Sequence, residues 1–328
     1  MKVSDIENII SPMMTSFRSV YGNLTDSSIS IIHDINLHIH RQEGKQLRPL
    51  LSFLSACCCG FDPNSTSPHP LYSIASAIEL LHNSTLLHDD VVDESTVRRG
   101  NPTINSIWGN KTAVLVGDYY LAKVMQTVNA IGNNDITRII NDATIKMCEG
   151  ELLQQQCCGK YDIPEETYIE IIAKKTAEFM SACCRIGAII ASASRSDVET
   201  LADYGMHIGK AFQMRDDLLD YYPSSVTGKP RGNDIREHKA NLPLIAFFKS
   251  CPLDTKEKIA ALLEKNTLSD EETALICDTV MSDTSWSSVV GQLEELLDSA
   301  KSIALRLPEN KYRNAMIELS EILKISKK

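Results

Sequence analysis

Residues 71–93, LYSIASAIELLHNSTLLHDDVVD, set the reading of the whole chain. Leu71, Ile74, Ala75, Ile78 and Leu81 follow the i, i+3, i+4, i+7 rule, the signature of one buried helix face. The stretch ends in acids: Asp89, Asp90 and Asp93 stand at i, i+1 and i+4. On a helix i and i+4 stack on one side, and i+1 lies about 100° away. Three carboxylates then crowd one rim, and each raises the pKa of the others unless a cation neutralises them.

Similar helical stripes run through 28–41, 46–60, 111–130, 135–158, 164–193, 197–221, 254–266, 285–304 and 309–326. Alternating strand patterns are scarce. Gly and Pro together make about 8% of the 328 residues, against an average of about 12%. That shortage argues against an all-β or turn-rich architecture. Two loops stand out, FDPNSTSPHP (61–70) and YPSSVTGKPRGND (222–234), and neither shifts composition enough to be a domain linker. The expected fold is all-α. It is a single large bundle of roughly ten or more helices around a central cavity, one domain over residues 1–328.

The formal net charge is −10, from 33 basic and 43 acidic residues. That balance excludes a nucleic-acid binder working through bulk charge and disfavours anionic membrane surfaces. No stretch of about 18 residues is apolar and uncharged, so no transmembrane helix is expected. The opening MKVSDIENIISPMM reads as neither a signal nor a transit peptide, and a cytoplasmic location is expected. The ten cysteines are mostly adjacent, with no CxxC pair. They are read as small buried residues in a reducing compartment rather than as a zinc or redox site.

A second acidic cluster repeats the spacing of the first. In MRDDLLD (214–220), Asp216, Asp217 and Asp220 again close an apolar helical stretch. Oxygen-only ligands favour Mg²⁺, which takes one or two carboxylates and completes its shell with water and substrate phosphates. Two such rims facing each other across a bundle would clamp a diphosphate through bridging Mg²⁺. Basic residues accompany the acids. Lys45 and Arg48 stand in GKQLRP, Arg98 and Arg99 in VRRGNP, Lys174 and Lys175 in KKTAEF, Lys229 in GKP and Lys239 in REHKANLP. Arg suits bidentate phosphate recognition and Lys acts as a point charge. His82 lies two helical turns before Asp89, on the same side of the helix.

These residues resemble the trans-isoprenyl diphosphate synthases. The likeness runs in order through GKQLRP (44–49), ELLHNSTLLHDDVVDESTVRRG (79–100), LVGDYYLA (115–122), GELLQQ (150–155), KTAEF (175–179), GKAFQMRDDLLDYY (209–222), GKPRGNDIREHK (228–239) and LPLI (242–245). The resemblance implies an all-α prenyltransferase that extends an allylic diphosphate with isopentenyl diphosphate, using Mg²⁺ as cofactor with three ions per site when substrate is bound. It implies that Asp89, Asp90 and Asp93 bind two ions and that Asp216, Asp217 and Asp220 support the third. Arg98, Lys175, Lys229 and Lys239 match allylic-diphosphate contacts, and Lys45, Arg48, His82 and Arg99 match isopentenyl-diphosphate contacts. Thr176 and Gln213 match positions whose dipoles face the reacting carbons; with Lys175, the first three acids and Asp216 they form the implied catalytic set. A homodimer is implied as well. Two departures stand out: Glu43 replaces the first glycine of a GGK motif, and His238 stands where a glycine often precedes the lysine at 239.

Product length is read from the positions four and five residues before Asp89. Thr85 and Ser84 are small there, where short-chain relatives carry an aromatic floor. The expectation is a long tunnel and a product of about seven to ten isoprene units, as in quinone side chains, with Met125, Val128 and Met147 as candidate floors. The rival readings are a farnesyl or geranylgeranyl diphosphate synthase, a terpene cyclase, and a non-catalytic partner subunit of a heteromeric synthase. The second full cluster and GKQLRP weigh against a cyclase, and the intact clusters weigh against a partner subunit.

Overall fold

The structure, a computed structural model, describes residues 3–41, 44, 46–64, 69–227 and 230–325. Among the described residues it is all-α apart from one hairpin of two-residue strands, Val97–Arg98 and Asn101–Pro102, paired antiparallel. The long helices coincide with the periodic stretches: Ser30–Arg41, Leu47–Cys58, Pro70–Val92, Asn110–Ile131, Asn134–Cys157, Arg195–Asp220 and Thr284–Ala304. Local chemistry sets their ends. His69 Nδ1 accepts from the Leu71 amide at 3.2 Å with Pro70 in the first turn, and Gly132 closes the Asn110–Ile131 helix at φ 72°. Ser269 and Glu272 form a capping box before the Asp270–Ser282 helix.

Four stretches differ from expectation. The run 164–193 is not one helix. It divides into Glu165–Ile172, a π-helical turn Ala173–Ala177 and Glu178–Ile190. Helices Ser11–Thr25, Leu242–Ser250 and Asp270–Ser282 also stand outside the periodic set read from the sequence.

The chain groups into two compact units. One comprises Met1–Asn141, Ala182–Ala202 and Leu305–Leu319; the other comprises Asp142–Ser181, Asp203–Ala304 and Ser320–Lys328. In the first, Pro70–Val92 packs most extensively against Asn110–Ile131 and also against Ser11–Thr25 and Leu47–Cys58. Phe17, Phe53 and Tyr72 form an aromatic line in this core, with ring centroids 6.0 and 5.9 Å apart. Buried Asn36 donates to the Thr25 carbonyl and accepts from Tyr120, so its amide is satisfied. In the second unit Tyr221, Ile235, Leu244, Phe247, Ile276 and Val280 form the core.

Six cysteines are buried as expected, but Cys148 and Cys158 are exposed and Cys59 and Cys251 partly so. Of the three candidate tunnel floors, Val128 and Met147 are buried, whereas Met125 is 52% exposed and points outward.

Gly187 marks the tightest helix contact of the first unit: a Cβ there would lie 2.2 Å from the Ser52 carbonyl oxygen. Neither backbone can yield cheaply. Gly187→Ala is expected to destabilise the protein by about 1–3 kcal/mol, read by urea denaturation.

Candidate active site

Both acidic clusters lie on the last turn of a long helix. Asp89 and Asp90 end Pro70–Val92 and Asp93 caps it; Asp216, Asp217 and Asp220 end Arg195–Asp220. A helix C-terminus already carries partial negative charge. Three carboxylates added there make a rim that attracts cations.

In the first unit the chain turns back after Asp93. The amide of Ser95 donates to the Asp90 carbonyl at 2.9 Å, and Asn105 Nδ2 donates to the same oxygen at 3.1 Å. The hairpin then returns Arg98, whose Nε donates to Asp90 Oδ1 at 2.8 Å. Burial raises the Asp90 pKa, and Arg98 opposes that rise. Arg99 has φ 52°, a left-handed conformation uncommon for a non-glycine residue. A Cβ at Gly44 would lie 2.5 Å from Arg99 Nη1, so the guanidinium lies directly on that glycine. Arg48 opens the Leu47–Cys58 helix. His82 is half-buried, and burial together with Arg48, Arg99 and Arg98 holds its pKa well below the ordinary value. His82 is therefore neutral at physiological pH and acts as a hydrogen-bonding group rather than a charge. Ser84 is buried, with its hydroxyl donating to the Gly117 carbonyl at 2.8 Å, while Thr85 is only half-buried.

In the second unit the π-helical turn carries Lys175 and Thr176. Such turns recur at functional sites because they bulge side chains out of helical register. Lys175 Nζ meets Glu151 Oε2 at 2.5 Å and Gln154 Oε1 at 3.0 Å. Thr176 Oγ1 donates to Gln213 Oε1 at 3.0 Å, and Gln213 Nε2 donates to Asp217 Oδ1 at 2.9 Å. Tyr168 donates to Asp217 Oδ2 at 2.7 Å. Asp220 accepts from the backbone amides of Asn233 and Asp234, both at 3.0 Å. Lys239 Nζ pairs with Glu237 at 2.5 Å. His238 has φ 54°, which accounts for a glycine serving well there. Its carbonyl accepts from the Gly159 amide at 2.8 Å, which holds the turn.

The structure thus gathers Arg48, His82, Asp90, Arg98 and Arg99 in one unit, and Lys175, Thr176, Gln213, Asp216, Asp217 and Asp220 with Lys239 in the other. Lys45 and Lys229, like Glu43, lie outside the described residues. Several contributors carried no assigned role in the sequence. Asp234, within the quoted GKPRGNDIREHK, is half-buried beside the second cluster and adds its charge to Asp217 and Asp220. Glu151 sits in GELLQQ and Glu237 in REHK, and each holds a lysine by a contact that only folding creates. Among the described residues no group of three His, Cys, Asp or Glu side chains converges tightly enough to hold a metal ion unaided.

Burial and Asp234 push Asp217 up to about 8 and Asp220 up to about 7. Raised carboxylate pKa values mean that the folded state binds more protons than the unfolded chain. Stability therefore falls as pH rises from the unfolded carboxylate range through those folded values. In EDTA the unfolding midpoint is expected to drop between pH 5.5 and pH 8.5, and Asp234→Asn to lessen the drop. Urea melts across that range check both.

The sequence profile of the polyprenyl synthetase family matches residues 29–312. Octaprenyl diphosphate synthase of Escherichia coli (strain K12) is 32% identical over 324 residues, covering 98% of both chains. The crystal structure of a decaprenyl diphosphate synthase from Rhodobacter capsulatus superposes with a TM-score of 0.90 at 30% identity, covering 98% of both chains. A polyprenyl synthase from Caulobacter crescentus CB15, complexed with calcium and isoprenyl diphosphate, gives a TM-score of 0.89 at 30% identity over 98% of this chain and 97% of that one. With the two helix-end aspartate clusters and their cationic neighbours in place, these likenesses identify the chain as a member of the polyprenyl synthetase family, and so a prenyltransferase.

Proposed function

We propose that this chain is a long-chain all-trans polyprenyl diphosphate synthase, adding several isopentenyl diphosphates to an allylic diphosphate primer. The observation that carries the reading is the pair of aspartate clusters, each on the C-terminal turn of a long helix and each accompanied by cationic side chains. The similarity to octaprenyl and decaprenyl synthases over the full length supports a long product.

The donor set fits Mg²⁺: six carboxylates with no sulfur or imidazole among them, two of which burial and crowding leave poised to give up protons to a cation. Asp89, Asp90 and Asp93 would hold two ions and Asp216, Asp217 and Asp220 a third. Bound Mg²⁺ supplies Lewis-acid stabilisation of the diphosphate leaving group. Arg98, Lys175 and Lys239 bind the allylic diphosphate. Lys175 exchanges Glu151 for a phosphate oxygen, and Lys239 exchanges Glu237, so each lysine arrives oriented by its resting partner. Arg48, Arg99 and neutral His82 take the diphosphate of isopentenyl diphosphate. The Thr176 hydroxyl spends its proton on Gln213, which leaves its lone pairs free to face positive charge developing on the allylic carbon. Leu80, Leu81 and Leu87 are buried and Leu86 is half-buried, an apolar wall that keeps water from the cation.

Two further parts of the reading concern assembly and product. On the Asn110–Ile131 helix, Val114, Leu115 and Met125 are exposed, an apolar face suited to a second copy of the chain in a homodimer. A product of about seven to ten isoprene units fits a quinone side chain, and the small Thr85 supports it over a farnesyl or geranylgeranyl product. Both clusters are intact, which favours an enzyme over a non-catalytic partner subunit.

Purified protein with Mg²⁺, labelled isopentenyl diphosphate and farnesyl diphosphate is expected to yield long-chain products by reversed-phase chromatography. EDTA is expected to abolish them. Asp90→Ala is expected to lower turnover by about 10²-fold or more. Thr85→Phe is expected to shorten the product with the fold intact, whereas Ser84→Phe, packed against the Gly117 backbone, is expected to destabilise the protein. Products confined to 15–20 carbons from the wild type would contradict the long-chain reading.

A further inference from the structure

Glu79 is only 8% exposed, and it shares a helix face with His82, Asn83, Leu86 and Asp90. With Gly44, Asn83, Arg98 and Arg99 it lines a cavity of the first unit. A carboxylate is rarely this buried unless a cation compensates it. Asp90 takes Arg98 through the 2.8 Å bond. Burial lowers the pKa of Arg48 and of Arg99, Arg99 is further lowered by neighbouring Arg98, and Glu79 opposes the lowering in both. Arg99 is open to solvent, so the anion lies deeper than that cation. The left-handed backbone of Arg99 and its seat on Gly44 add a second constraint on where that guanidinium points.

We propose that Glu79 is a positioning residue for the condensation: its buried carboxylate, facing the same cavity as Arg99, holds that guanidinium in the orientation that meets the diphosphate of isopentenyl diphosphate. The proposal rests on the role given above to Arg99.

The test is steady-state kinetics on the full-length protein with Mg²⁺, varying isopentenyl diphosphate at saturating allylic primer and then the reverse. Glu79→Gln keeps the shape and removes the charge. Positioning predicts a KM for isopentenyl diphosphate raised about tenfold or more, a primer KM changed by less than about twofold, and partial recovery in Glu79→Asp. Through-space charge alone predicts the opposite sign, because removing an anion beneath an anion site tightens binding. An unchanged or lowered KM for isopentenyl diphosphate overturns the proposal. If circular dichroism shows that the Glu79 variants do not fold, Gly44→Ala decides. Its methyl group displaces the Arg99 guanidinium without touching the buried carboxylate, and it must raise the same KM selectively; no effect overturns the proposal. A wild-type protein that incorporates no isopentenyl diphosphate contradicts the functional reading and this proposal with it. Wild-type activity with unaffected variants contradicts this proposal alone.

Discussion

Two long helices each end on three aspartates, and that placement makes the metal-free site electrostatically unfavourable. The C-terminal turn of a helix is already negative, and carboxylates at i, i+1 and i+4 add to it rather than offset it. Much of the surrounding structure compensates. The hairpin Val97–Pro102 turns Arg98 back onto Asp90. The short helix Asn233–Arg236 begins with two amides donated to Asp220. Tyr168 and Gln213 direct donors at Asp217. Even so, burial keeps Asp90, Asp217 and Asp220 above the ordinary carboxylate range, so compensation by the protein is incomplete. On the proposed reading a divalent cation would complete it.

The same logic orders the basic residues. Lys175 rests on Glu151, Lys239 on Glu237 and Arg98 on Asp90. Each cation already has a partner, so on the proposed reading less side-chain entropy would be lost on binding a substrate. In the first unit the arginines lie beside a neutral histidine. In the second, Lys175 stands on a π-helical turn and Lys239 follows the short helix Asn233–Arg236. The close approach of Gly150 to the Lys175 backbone, where a Cβ would lie 2.6 Å from its nitrogen, fixes that turn against the neighbouring helix.

Much of this was legible in the sequence. The period of Leu71 to Leu81 predicts the helix that carries the first cluster, and the repeated spacing of the six aspartates names both acidic rims. The π-helical turn escaped because AKKTAEF keeps an amphipathic pattern across it, and periodicity cannot report one extra residue in a turn. Asp234, Glu151 and Glu237 escaped because each acts through a neighbour distant along the chain or through a turn that only folding creates. Met125 shows that an apolar residue on a helix reads as core whichever way it faces; here it is exposed, like Val114 and Leu115. Glu79 was visible as a letter in ELLH, but a carboxylate three residues before a histidine carries no signal until its burial is known.

Cations that neutralise carboxylates which the fold alone leaves partly protonated must displace protons, and isothermal titration calorimetry of Mg²⁺, with inorganic pyrophosphate present, into the full-length protein at pH 7 measures this most directly. Repeating it in buffers of different ionisation enthalpy counts the protons exchanged. The account predicts net proton release, and therefore a binding heat that depends on the buffer, with the release reduced in Asp217→Asn. Binding that releases no protons, or no binding at all, would contradict it.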